Sequence, residues 1–271
     1  MTVWFGNVHG GGLVPDDEAR IAVRTAGVAY GLGCFETMRV EAGRVFLLDW
    51  HLKRLRAACE RLGLDAPTPG LVEAGISALV VAVGLAGVGR LRLSVAAGVD
   101  GDTTMWATLD PLDDAPDGVR LVTVPWRRNA DSPLAGVKAL AYAETLLAHR
   151  AAQRAGGTDA LLCNTDGLVA ECATANVVVV LDGVACTPRV SDGALPGIGR
   201  RFLLADTAAG VLERGVPETR LAEAGEVFVV SALRGVRPVV GLDDRALPVG
   251  PITAVARRRW QERAADSSWW S

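Results

Sequence analysis

Between Asp159 and Pro188 the chain reads DALLCN, LVAECA, NVVVVLDG and VACTP in quick succession, punctuated by TDG and DG turns. Runs this short and this apolar, bounded by Asp-Gly signals, read as strands rather than helices. The C-terminal part of the chain is therefore expected to be built on a sheet. VRLVTVPW before this block reads as a further strand, and EVFVVSAL after it as the final strand of the chain. Helices are expected through about Ala155 and from the glycine-punctuated start LPGIGRRFLLADTAA.

The first third has a different order. CFETMRVE and RVFL read as two strands joined by a turn at Ala42–Gly43, a hairpin. DWHLKRLRAACERLGL follows, with Asp49 as the expected N-cap and Leu48, Leu52, Leu55, Cys59 and Leu62 at helical spacing. A second helix is expected around Val72 to Val83, then the strands RLRLSVAAG and TTMWATLD. PLDDAPDGVR is rich in Pro, Asp and Gly and reads as a linker. The expected division is a small α/β domain over 1–110, a linker over 111–118 and a larger sheet-rich domain over 119–271, an α+β architecture with helices packed outside the sheets.

Several function classes are disfavoured by composition. Net charge is −3, which does not favour a nucleic-acid backbone as partner. The one dense basic run, Arg257–Arg259, reads as a solvated helix face. No signal peptide is apparent, and LVVAVGLAGVG is too short and glycine-broken to span a membrane. Five scattered cysteines without a CxxC fit reduced thiols and a cytoplasmic setting. Three histidines never approach zinc-ligand spacing, so no metal is expected. Trp269 and Trp270, at the C-terminus, are expected to hang free, as chain ends usually do.

Against this ordinary background one residue stands out. Of 28 cationic side chains, 26 are arginine; Lys138, in PLAGVKALAYAE, is one of two lysines. A solvated charge is served as well by arginine, whereas a reactive amine is not, because guanidinium stays protonated. Flanked by Val137, Ala139, Leu140 and Ala141, the amine is either a desolvated Schiff-base nucleophile or a strand-edge charge in water. Gly197 and Gly199 open a helix whose N–H groups suit a phosphate, Arg54 lies one turn from His51 on the polar side of the first helix, and Ser231 ends a strand. Together with the lysine they describe an aldehyde-bearing phosphate cofactor, pyridoxal 5'-phosphate. Glu171, in an otherwise apolar strand, needs a cationic partner: either the cofactor's ring nitrogen, which a carboxylate keeps protonated, or one of the arginines.

The segments YGLGCFETMRV, HLKRL, VKALAY, GLVAECATANVVVV, TPRVSDGALPGIGR and SALRGVRPV occur in the order and at the spacing of the class IV aminotransferases, which the chain resembles over almost its full length. The resemblance implies a two-domain fold-type IV enzyme, like the D-amino acid aminotransferases, that uses pyridoxal phosphate and usually works as a homodimer on a small-molecule amine. It implies Lys138 as the residue that forms the Schiff base and moves protons, and Glu171 as the ring-nitrogen partner. It implies a phosphate cup of Arg54, the Ile198 and Gly199 amides and the Ser231–Ala232 turn, with Tyr142 near the ring oxygen. Tyr30 and Arg92 take the place of substrate-binding residues. Within the family CFETMRV and LRAACERLGL look most like the aminodeoxychorismate lyases, with Thr37 where branched-chain transaminases typically carry glycine. A hydroxyl there could relay a proton during elimination. The expected reaction is thus conversion of 4-amino-4-deoxychorismate to 4-aminobenzoate and pyruvate, for folate synthesis. The alternative is transamination of branched-chain, D-amino acid or related amines. Leu32, Ala141 and Gly199 depart from the family's usual aspartate, asparagine and threonine.

Overall fold

The computed structural model describes all residues, 1–271, as two compact units. The first comprises Met1–Asp114, Val137–Ala141 and Ser268–Ser271; the second comprises Ala115–Gly136 and Tyr142–Ser267. The break at Asp114 falls inside the segment expected to be a linker. Two pieces of the expected C-terminal domain, the lysine segment and the last four residues, nevertheless belong to the first unit.

That unit is built on β1 (Thr2–Asn7), β2 (Gly10–Pro15), a short α1 (Ala26–Ala29), β3 (Gly33–Glu41), β4 (Arg44–Val45), α2 (Leu48–Leu62), α3 (Pro69–Val83), β5 (Val88–Ala97) and β6 (Thr103–Pro111). The strands form one antiparallel sheet in the order β2-β1-β6-β5-β3-β4. The β3–β4 hairpin turns at Ala42 and Gly43, both with positive φ. Alternation sends Cys34, Met38 and Val40 of β3 and Leu91, Leu93 and Val95 of β5 into a core with Leu55, Cys59, Ile76 and Leu79 of the helices. Helix α2 starts differently from the expectation. Asp49 lies in its first turn, and the cap position is Leu47, in a left-handed conformation with no side-chain cap. His51 is fully buried, so this residue is not on a polar face. Gly63 at φ 68° closes the helix, as a left-handed C-cap does.

The C-terminal tryptophans are ordered, against the expected fraying. Val45 and Ser271 exchange both backbone hydrogen bonds (2.7 and 3.0 Å), and Leu47 N donates to the Trp269 carbonyl at 2.8 Å. The Trp270 ring lies 4.9 Å from that of Phe46, and Trp269 packs edge-on against Trp50 at 5.6 Å. Aromatic area and a paired backbone edge outweigh the entropy of four residues.

The second unit contains β7 (Val119–Arg128), α4 (Ala143–Arg154), β8 (Asp159–Asn164), β9 (Val169–Cys172), β10 (Asn176–Leu181), β11 (Val184–Thr187), α5 (Ile198–Ala205), β12 (Val211–Glu213), β13 (Glu226–Ser231), β14 (Gly235–Leu242), β15 (Arg245–Ala246) and α6 (Pro251–Ala265). Its nine-stranded sheet runs β12-β11-β10-β13-β14-β7-β8-β9, with β15 on β14. The four expected strands between Asp159 and Pro188 are β8 to β11, and β8 to β10 are buried along their whole length. Each of the three arginines of the basic run pairs with an acid: Arg257 with Asp117, Arg258 with Glu262, and Arg259 with Asp206 and Glu262. No helix is long and apolar enough to cross a membrane.

Candidate active site

Lys138 is held by main-chain pairing to β3. The two-residue β4 covers only the far end of that strand, leaving the edge near Gly33 open. Phe35 N donates to the Lys138 carbonyl (2.9 Å), Leu140 N donates to the Gly33 carbonyl (2.8 Å), and Ala139 bridges Cys34. A side chain at position 33 would meet Leu140 Cδ1 and the Val95 carbonyl at 2.5 Å, so this close approach needs glycine. Ala139 is buried on the Cys34 side. The Lys138 amine lies 4.4 Å from the centroid of the Phe35 ring.

Phe35, Thr37, Arg92 and Ser94 share the other sheet face, since Thr37 stands opposite Arg92 and Phe35 opposite Ser94. The Arg92 guanidinium lies 3.7 Å from the same Phe35 ring. One aromatic ring therefore contacts both groups, and each contact of a cation with the ring is favoured by its quadrupole. Beside them the buried Ser94 Oγ has no hydrogen-bond partner. Tyr30, just after α1, is 81% exposed.

Arg54 meets an acid that sequence reasoning did not single out. Its Nε donates to Glu36 Oε1 at 2.8 Å and its Nη2 to Oε2 at 2.5 Å. His51 Nδ1 lies 2.7 Å from the same Oε2. Burial alone would raise the Glu36 pKa, but the charge and hydrogen bonds of Arg54, with help from His51, lower it to about 2. Burial pushes the His51 pKa down, against the pull of Glu36, and the charges of Arg54 and Lys138 add to the effect. The ionised carboxylate can only accept, so Nδ1 of His51 carries the proton donated to it.

In the second unit, Glu171 of β9 is gripped from several directions. Oε2 accepts from Leu195 N at 2.9 Å and Asn176 Nδ2 at 3.5 Å, and Oε1 lies 3.4 Å from Arg128 Nη2. The cationic partner left open by the sequence is, within this unit, Arg128. Its place ten residues before Lys138 among 26 arginines carried no local signal. Tyr142 precedes α4 and donates its hydroxyl proton to the Ala173 carbonyl at 2.8 Å.

Helix α5 starts at Ile198 behind the cap residue Gly197, with no side-chain cap on its first amides. A Cβ on Gly199 would lie 2.6 Å from Val230 Cγ2, and one on Gly197 would lie 1.8 Å from Asn176 Oδ1. The helix start is seated directly on the end of β13, where Ser231 Oγ accepts from Arg234 N at 3.2 Å and Ala232 follows. The threonine usual at position 199 has no room on this backbone. Each unit by itself carries groups that fit part of a phosphorylated pyridine aldehyde: in the second, amides without a side-chain cap suit the phosphate and a fixed buried carboxylate suits a ring nitrogen; in the first, Lys138 has the kind of amine that condenses with an aldehyde.

The family model for Amino-transferase class IV matches residues 33–242. An Aquifex aeolicus protein described as a candidate branched-chain-amino-acid aminotransferase is 30% identical, over 90% of this chain and 87% of its own. The branched-chain aminotransferase of the archaeon Thermoproteus uzoniensis, solved with norvaline, is 27% identical with a TM-score of 0.90, covering 100% of this chain and 98% of its own. A Legionella pneumophila structure described as a candidate 4-amino-4-deoxychorismate lyase is 25% identical with a TM-score of 0.83, over 92% and 98% of the two chains.

Proposed function

The chain belongs to the class IV aminotransferases, with pyridoxal 5'-phosphate as cofactor, and on that premise we propose that it moves the amine of an amino acid to a 2-oxo acid. One observation carries this proposal: the Lys138 amine and the Arg92 guanidinium both lie against a single ring, 4.4 and 3.7 Å from its centroid. An amine that attacks carbonyls thereby stands near a cation that can take a carboxylate, the two groups an amino acid or 2-oxo acid presents together. The names of the Aquifex and Thermoproteus relatives favour the same reaction.

Bound pyridoxal phosphate would supply an electron sink. Lys138 would hold the cofactor at its aldehyde, and its amine would take and return the proton of the substrate's amine-bearing carbon. Glu171, oriented by Leu195 N–H and Asn176, accepts from the protonated ring nitrogen. Arg54 of the first unit and, in the second, the Ile198 and Gly199 amides with the Ser231–Ala232 turn would be the groups that bind the phosphate. Tyr142 stands near the ring oxygen, while Arg92 and Tyr30 contact substrate. A homodimer is the proposed assembly, supported by the family resemblance. The five free cysteines support a reducing, cytoplasmic setting.

Thr37 supports a second reading, 4-amino-4-deoxychorismate lyase. It stands opposite Arg92 on the Phe35 face, where its hydroxyl can return a proton to a leaving enol. The Legionella structure supports this reading as well. Holoenzyme incubated with a panel of amino acids and 2-oxo acids, beside 4-amino-4-deoxychorismate alone, separates the two. Amine transfer that requires a 2-oxo acid is the expected result. Pyruvate and 4-aminobenzoate formed without any 2-oxo acid would establish the lyase instead, and a holoenzyme active in neither assay refutes both.

A further inference from the structure

We propose that Glu36 is a positioning residue: its buried carboxylate fixes the plane of the Arg54 guanidinium so that Arg54 meets the cofactor phosphate as a pre-set donor. The proposal rests on the assignment of Arg54 to that phosphate.

Glu36 lies on the core face of β3, in step with Cys34 and Met38, where every other side chain is apolar. Its side chain is 1% exposed and that of Arg54 is 12% exposed. Removing such a pair from water is costly, and an apolar pair of similar volume would hold β3 to α2 at least as well. Fold stability alone therefore does not account for the carboxylate. Its geometry does. Both carboxylate oxygens engage one edge of the guanidinium, Oε1 with Nε and Oε2 with Nη2, the bidentate fork that fixes orientation as well as distance. His51, fully buried, donates to Oε2 and stops the carboxylate from rotating about its own axis. An unrestrained arginine loses rotamer freedom when it binds an anion; Arg54 has lost that freedom on folding, which is the usual origin of pre-organised affinity.

The test compares cofactor binding by the folded apo-protein for pyridoxal 5'-phosphate and for pyridoxal, which lacks the phosphate. Glu36→Asp keeps the charge but shortens the reach by one methylene. It is expected to raise the Kd for pyridoxal phosphate roughly tenfold, within the range of coupled residues in one hydrogen-bond network. The Kd for pyridoxal is expected to stay unchanged. Glu36→Gln, which keeps the length but can accept at only one of the two positions, is expected to show the same selective loss and serves if the aspartate variant fails to fold. In an Arg54→Ala background neither substitution should have any further effect. Equal losses for the two ligands, or tighter pyridoxal phosphate binding by Glu36→Gln, would overturn the positioning role. If Arg54→Ala itself leaves the preference for the phosphorylated ligand intact, the assignment of Arg54 to the phosphate is what fails.

Discussion

Gly197→Ala places a methyl group where the structure has no space for one. The new Cβ would lie 1.8 Å from Asn176 Oδ1 and 2.9 Å from its Cγ. The amide must retreat by about 1.7 Å to reach a normal separation of roughly 3.5 Å. Asn176 is buried, and its Nδ2 donates to the Leu195 carbonyl at 2.9 Å, so it cannot retreat without breaking that bond. A lost hydrogen bond costs about 1 kcal/mol, and overpacking at a buried site adds about 1–3 kcal/mol. The total of about 2–4 kcal/mol corresponds to a fall in Tm of roughly 5–15 °C for a chain of this size. A functional cost accompanies it, because Asn176 and Leu195 N both hold Glu171 Oε2. A loss of about 1.4 kcal/mol at that carboxylate would raise the Kd for pyridoxal phosphate about tenfold. Differential scanning calorimetry of the apo-protein and titration with cofactor read the two effects separately. Gly225→Ala is the control, since a Cβ there meets nothing within 4 Å. If Gly197→Ala melts and binds cofactor as the parent does, Asn176 is not the rigid stop that holds Glu171.

Two further outcomes follow from other parts of the molecule. Deleting Ser268–Ser271 removes the two tryptophan ring contacts and the backbone pairing to Val45; with aromatic pairs worth about 0.5–1.5 kcal/mol each beyond their buried area, a clear fall in Tm is expected, and an unchanged melt would show that the tail does not contribute. His149 has its pKa raised by its hydrogen bond to Asp159 (3.0 Å), against burial, with the aspartate charge adding to the rise. The stabilisation it contributes is complete below the unfolded value of about 6.5 and is lost as pH rises through the higher folded value. His149→Gln should therefore lower the urea midpoint on the acid side of neutrality and leave it nearly unchanged at alkaline pH; an equal loss at both ends would rule out the ion pair as the cause.

Much of this molecule could be read locally. Strand and helix positions follow from periodicity and turn residues, which depend on neighbours in sequence, so the β3–β4 hairpin and the strands from Asp159 to Pro188 were legible. Lys138 and Glu171 stood out because each contradicts its surroundings, one an amine in an arginine-using chain, the other an acid in an apolar strand. Helix α2 was less completely legible, because its apolar spacing concealed that His51 faces inward. A histidine on a polar-looking face becomes a buried donor only when an acid waits on the opposing strand.

The sequence by itself determined the types of the elements read from it, the likeness to a known family and which few residues carry unusual chemistry, since these are written in composition, spacing and order; the β1–β2 hairpin, and β14 and β15 beyond the strand expected to be the last, were not read from it. Only the tertiary structure decided which charges meet. Pairing Arg128 with Glu171 and Arg54 with Glu36 brings together residues on separate elements, and no local pattern selects two partners from 26 arginines. The fold also decided that Val137–Ala141 and the C-terminal tryptophans belong with the first sheet. The physical reason is the same in each case: an unpaired strand edge or a buried charge must be satisfied by whatever group the fold brings within hydrogen-bond reach, at any distance along the chain.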